Sequence, residues 1–177
     1  MKYSIILGAL SLLLFSCING SISHANRNAC DIEAIQIFLP DSGHVSIPNI
    51  FTPELDGIND IFQITYNLDS SLLENFVLTI DRGLATVFET QDPDFIWDGV
   101  REGDRNPTFG IYDVEVSFDY DGVSYGDVGE IALIAPRGTL ELGDYRIDCS
   151  KCIFPDQIFP EDGSIGISLQ PLDNVCE

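Results

Sequence analysis

The chain is poor in positive charge. Its 177 residues include 8 Lys and Arg against 29 Asp and Glu, a formal net charge of −21. Affinity for nucleic-acid phosphates comes from Lys and Arg, so no nucleic acid is expected as a partner. An acidic surface of this strength keeps a protein soluble and attracts divalent cations. Histidine is scarce too, with only His24 and His44. Neither stands in a pattern that pairs a nucleophile with a base, and in so acidic a chain carboxylate pairs arise by chance. The chain is therefore read as non-catalytic and without an organic cofactor. No stretch repeats its apolar residues at helical spacing, no internal repeat is visible, and no cysteine falls between Cys30 and Cys149.

What is present begins with an export signal. Lys2 precedes an apolar run at 5–15, too short to span a bilayer and of the length of a secretory h-region. Two exits follow it. Leu14-Phe15-Ser16-Cys17 resembles a bacterial lipobox, in which cleavage before Cys17 leaves its thiol to carry a diacylglycerol. Ser23-His24-Ala25 offers ordinary small-x-small cleavage after Ala25. Residues 1–25 are accordingly a signal peptide of one type or the other. The lipoprotein exit anchors the protein in the outer membrane, since each buried methylene contributes about 0.8 kcal/mol. Ordinary cleavage releases it.

Either exit leaves Cys30, Cys149, Cys152 and Cys176, all near the ends of the mature chain. Four cysteines allow three pairings, and an oxidising compartment favours structural disulfides that tie Cys30 to the tail. Cys149-x-x-Cys152 lacks the helix that a thioredoxin-like site requires, because Ile153-Phe154-Pro155 follows it. A zinc site would have to bring in Cys30 and Cys176, both distant in sequence.

Short β-rich runs bounded by turn residues fill the middle of the chain. Residues 34–39 and 45–51 read as the first two strands, with a turn at 41–43 that also takes in His44. Residues 61–66 alternate, and 69–74 form a loop or a single helical turn. Residues 76–80 and 86–89 form a hairpin across Asp81-Arg82-Gly83. Tyr112, Val114, Val116, Phe118 and Tyr120 alternate with polar residues, which gives one buried face and one wet face. Asp121-Gly122 then suits a type I′ turn into 123–125, and 130–134 is a further strand. About seven short strands without an amphipathic helix predict an all-β antiparallel sandwich over 30–135. Residues 136–177 form a cysteine-bearing C-terminal extension, lying against a sandwich edge and tethered by disulfide.

Between two apolar pairs, Ile50-Phe51 and Ile61-Phe62, lies a hinge of Pro, Asp, Gly and Asn. Glu54, Asp56, Asn59 and Asp60 fall within seven residues of one another, with Asp94 and Asp98 as further candidates. Such oxygen ligands suit Ca²⁺, although the spacing is not that of an EF-hand. The alternative is a turn in which Asx side chains cap nearby backbone N–H groups. Trp97 is expected in the core.

Residues 47–62 also resemble the opening of the gliding-motility-associated C-terminal domain of Bacteroidota. In that family Pro-Asn-x-Phe-Thr-Pro-Asn-x-Asp-Gly-x-Asn-Asp begins an immunoglobulin-like domain. Pro48, Asn49, Phe51, Thr52, Pro53, Asp56, Gly57, Asn59 and Asp60 match, and Glu54 replaces the second Asn. Val87-Phe88-Glu89, Trp97-Asp98-Gly99, Gly110-Ile111-Tyr112 and the run 129–134 follow in family order, so the likeness covers 47–134. Arg82-Gly83-Leu84 departs from the family's Arg-Trp-Gly. The resemblance implies an immunoglobulin-like sandwich and export by the type IX secretion system. The expected role is a non-catalytic surface module in assembly, adhesion or secretion, whose partners are the secretion machinery, other cell-surface proteins or glycans. The alternative is a freely secreted domain that binds calcium or carbohydrate, the latter through Phe109, Tyr120 or Tyr125.

Overall fold

The computed structural model describes residues 30–40, 42–134 and 151–166. The signal segment with Cys17 and Ala25, and the cysteines Cys149 and Cys176, lie outside the described residues. The alternating apolar residues form eight strands: β1 (Ile35–Phe38), β2 (His44–Ile47), β3 (Ile50–Phe51), β4 (Thr65–Asn67), β5 (Leu73–Arg82), β6 (Ala85–Thr90), β7 (Gly110–Tyr120) and β8 (Val123–Leu133). They make a three-stranded sheet of order β1-β2-β4 and a five-stranded sheet of order β3-β8-β7-β5-β6. The result is the expected immunoglobulin-like sandwich, with eight strands among the described residues against an estimate of about seven. All pairs are antiparallel except β3 with β8, which is parallel.

β7 follows its sequence pattern closely. Val114, Val116 and Phe118 point into the core, while Asp113, Glu115 and Ser117 face solvent. Its partners are β5 on one side and β8 on the other. Asp121 and Gly122 both have positive φ, 49° and 74°, as a type I′ turn requires. Trp97 is 2% exposed and sits among the rings of Phe51, Phe62, Phe88 and Tyr112. The core between the sheets is built around this aromatic group.

Three local readings change. The run 45–51 is two strands in two sheets. Pro48 has no N–H to offer a ladder, and Asn49 turns its backbone to new partners, donating to the Ile153 carbonyl and accepting from the Ala132 N–H. Residues 123–134, read as two strands, contain one strand of eleven residues. Gly126 and Gly129 suggest breaks, but they are there for close approach. A Cβ on Gly129 would lie 2.9 Å from Ile35 Cγ1, and one on Gly126 would lie 3.0 Å from the Val116 carbonyl oxygen. Residues 61–66, read as one alternating strand, give only an isolated bridge at Phe62 and β4 at 65–67, while 69–72 close as the expected turn, Asp69 Oδ1 accepting from both the N–H and the hydroxyl of Ser71.

The described part of the tail, residues 151–166, covers a face of the sandwich instead of lying along an edge. β2 is buried on both sides: Val45 and Ile47 enter the core, and His44 and Ser46 point the other way. Residues 151–166 lie over that outer side. Gln36 Nε2 donates to the Gly163 carbonyl (2.8 Å), and Asn67 Nδ2 donates to that of Glu161 (2.9 Å). Ile158 and Ile165 bridge to close the tail's own small hairpin. Cys30 bonds Cys152 across 122 residues of sequence, so Cys30 is tied to the tail and Cys152 is not paired with Cys149. Beside this disulfide Asn49 is 1% exposed. Its Nδ2 donates to the carbonyls of Ile32 (2.6 Å) and Lys151 (3.1 Å), and its Oδ1 accepts from the Ile153 N–H (2.7 Å). Around them Ile32, Ile50, Ala132, Ile134 and Phe154 form a second, smaller apolar cluster.

Asn49→Ala strands three backbone groups at once. It is expected to cost at least about 3 kcal/mol, at 1–3 kcal/mol for each unsatisfied buried group. Replacing Cys30 and Cys152 together by Ser should cost about 2–4 kcal/mol. Because both hold the same junction, the triple variant should lose less than the sum in urea unfolding. Strict additivity would contradict a shared clasp.

Candidate functional site

The hinge 52–60 is the most elaborate loop of the described chain. Leu55, Gly57 and Asn59 all adopt positive φ (66°, 88° and 52°), which reverses the chain repeatedly within a few residues. Thr52 N–H donates to the Asn59 carbonyl (2.9 Å) and closes the loop's base. The Asp60 carboxylate holds its interior: Oδ1 accepts from the N–H groups of Glu54 (2.9 Å) and Leu55, and Oδ2 from that of Gly57 (2.6 Å). Asp56 Oδ1 accepts from the Ile58 N–H (2.8 Å). Asn59 Oδ1 accepts from the Asp156 N–H (3.2 Å), which docks the loop on the 3₁₀ turn Pro155–Gln157 of the tail. The capped loop projects Leu55, which is 92% exposed.

Of the residues offered as calcium ligands, Asp56, Asn59 and Asp60 direct oxygens at backbone N–H groups, which is the Asx-capping arrangement. Asp94 accepts from the Tyr66 hydroxyl, and Asp98 caps the Val100 N–H. Among the described residues no three His, Cys, Asp or Glu side chains converge as a metal cage would.

Phe109, Tyr120 and Tyr125, the aromatic candidates for sugar binding, are half-buried and pack against the core. Tyr125 stacks on Phe118 with ring centroids 5.6 Å apart.

His44 is not in a turn, since the turn closes at Gly43 and His44 opens β2 at 1% exposure. Neither ring nitrogen has a hydrogen-bond partner among the described residues. The tail places Gly163 against the ring so closely that a Cβ there would lie 2.5 Å from His44 Cδ2. Burial lowers the His44 pKa, and the nearby Asp162 carboxylate opposes this. Tyr66 moves the other way: its hydrogen bond to Asp94, helped by burial, pushes it up to about 12. Burial also raises Tyr112, against the pull of Arg82.

Sequence reasoning missed the roles of Asn49 and His44. A lone buried Asn leaves no periodic signal; its place in the Pro-Asn-x-Phe-Thr-Pro string was the only pointer. His44 follows a Gly and precedes a strand, which reads equally well as a turn.

Residues 45–127 match the family model described as CHU_C Type IX secretion signal domain. That span runs from within β2 into the first half of β8 and includes the capped loop. No curated protein and no solved structure matches the chain.

Two outcomes are expected here. Asp60→Ala should destabilise by about 1–2 kcal/mol through loss of the capping bonds, and EDTA should leave the wild-type Tm unchanged. A Tm that falls with EDTA and is restored by Ca²⁺ would instead make these residues ligands. For His44 the unfolded chain titrates at the ordinary 6.5, and the folded chain resists the proton. The unfolded state then binds more protons, so stability is complete above pH 6.5 and falls as pH drops below it. His44→Leu should flatten that slope in urea titrations between about pH 5 and 7.

Proposed function

We propose that this chain, in which residues 45–127 are a type IX secretion signal domain, is exported through that domain and works at the cell surface as a non-catalytic module. The observation that carries this reading is the match itself, lying on a folded sandwich whose family motif is built into its structure. Asn49 clasps the tail, and Asp60 rigidifies the loop that presents Leu55. A rigid loop with an exposed apolar tip loses little conformational freedom on docking, which suits recognition by the secretion machinery. At the surface the protein serves assembly or adhesion, anchored in the outer membrane through acylated Cys17. Cleavage after Ala25 would make it a free secreted protein instead.

The full-length chain should reach the cell surface in a host with a working type IX system and stay in the periplasm of the same host without one. Intact mass of the mature protein in each fraction should begin at acylated Cys17. Leu55→Ser should reduce export without moving Tm, because surface substitutions usually stay within about 0.5 kcal/mol. Equal surface display in both hosts would contradict the export route; a mass beginning near Asn26 in the medium would contradict the anchor.

A further inference from the structure

β6 is the outermost strand of the five-stranded sheet, and among the described residues it hydrogen-bonds to β5 alone. A cavity of about 720 Å³ touches Thr86, Val87, Phe88 and Glu89 in succession. Side chains of successive strand residues point to opposite faces, so a cavity bordered by four of them runs along the strand's edge and not over one face. Its far wall is apolar, with Ile61, Trp97 and Ile96, the last 65% exposed.

The cleft continues into a second cavity of about 230 Å³ that shares Val87, Trp97 and Arg101 and adds Arg82. This placement stands out in so acidic a chain. The described residues carry four cations: Arg82, Arg101, Arg105 and Lys151. Lys151 pairs with Asp31 on the opposite, tail-bearing side. Arg82 lies over the Tyr112 ring, 5.6 Å from its centroid, and meets two neutral partners, the Tyr112 side chain and the Phe109 carbonyl (3.5 Å). Neither Arg82 nor Arg101 forms an ion pair among the described residues. Asp104 stands at the same end, so the pair of guanidinium groups faces a single carboxylate there. Glu89, Asp98 and Glu102 line the remaining length of the cleft and would repel a carboxylate placed elsewhere along it.

We propose that this cleft is a strand-addition site for an extended peptide of a partner protein. The peptide's backbone pairs with the free edge of β6, an apolar side chain rests on Ile96 and Trp97, and a carboxylate reaches Arg82 and Arg101. Edge pairing supplies affinity, and the charged end fixes register and direction. A free chain terminus or an Asp side chain would provide the same carboxylate. The inference does not depend on the export reading, since it rests on the cleft alone.

The test uses the full mature chain with its disulfide intact and fluorescence anisotropy of fluorescein-labelled peptides. The first probe is the hexapeptide Thr-Val-Thr-Val-Thr-Val with a free C-terminus. The second is the same peptide amidated, the third is amidated with Asp in last place, and the fourth is N-methylated at alternate residues. The free acid should bind, and amidation should weaken it about tenfold, the loss expected for one charge-assisted hydrogen bond. Recovery with the terminal Asp would identify a side-chain carboxylate as sufficient; no recovery would identify the chain terminus as the ligand. N-methylation should abolish binding. Arg101→Gln should weaken the acid about tenfold with no change in Tm, and Arg105→Gln, outside the cleft, should have no effect. Equal binding of acid, amide and N-methylated peptides would overturn the proposal, as would no binding of the free acid at millimolar concentration. Dimerisation of the chain that Arg101→Gln abolishes would assign the cleft to a second copy and overturn it as well.

Discussion

Asn49 is the point on which the structure turns. Its amide uses both donors and its oxygen to hold three backbone groups, from Ile32, Lys151 and Ile153. Its own N–H and carbonyl reach Ile153 and Ala132. One buried residue thus joins the entering chain, the tail and the last strand of the large sheet. The same set of bonds moves the chain from β2 in one sheet to β3 in the other. An apolar residue of the same size would leave those groups unpaired in a dry cluster, at about 1–3 kcal/mol each. The Cys30–Cys152 bond stands beside this clasp and ties the same two segments, so in the folded chain it keeps the tail where Asn49 can hold it, besides restricting the unfolded chain.

The clasp has consequences at a distance. Because the tail is fixed at Ile153, its 3₁₀ turn meets Asn59 and its hairpin covers His44 and Ser46. The exposed loop that carries Leu55 is therefore braced from two sides, by Asp60 within and by the tail beneath. The sandwich and the described part of the extension behave as one folded body in this respect, although the family match ends at 127.

Much of this was legible in the sequence, for identifiable reasons. β7 shows strict alternation, and Asp121-Gly122 a turn chemistry with few alternatives, so both were read correctly. The hairpin of β5 and β6 and the burial of Trp97 followed for similar reasons, although the turn falls at Gly83-Leu84 and Asp81 and Arg82 still belong to β5. Failures occurred where one residue type serves two purposes. Gly126 and Gly129 look like breaks but permit contact with β7 and β1. Pro48 sits inside a run of β formers yet marks a change of sheet. Among the acidic residues of the loop, composition cannot separate an ion's ligands from caps on the backbone. The difference lies in where the oxygens point, which only coordinates show. The tail was placed at an edge, where an added segment would cover an exposed strand. Its contacts run instead through Gln36, Asn67 and a glycine against a histidine ring, none of which carries a periodic signal.

The most direct test of this account is native-state hydrogen exchange at the clasp. If Asn49 makes the tail part of the sandwich, the amides of Ile153 and Ala132 should exchange as slowly as those of Val114 and Val116 in β7, within about tenfold. If the tail amides Ile153, Phe159 and Gly163 exchange orders of magnitude faster while β7 remains protected, the tail opens on its own and the clasp is not what holds the fold together.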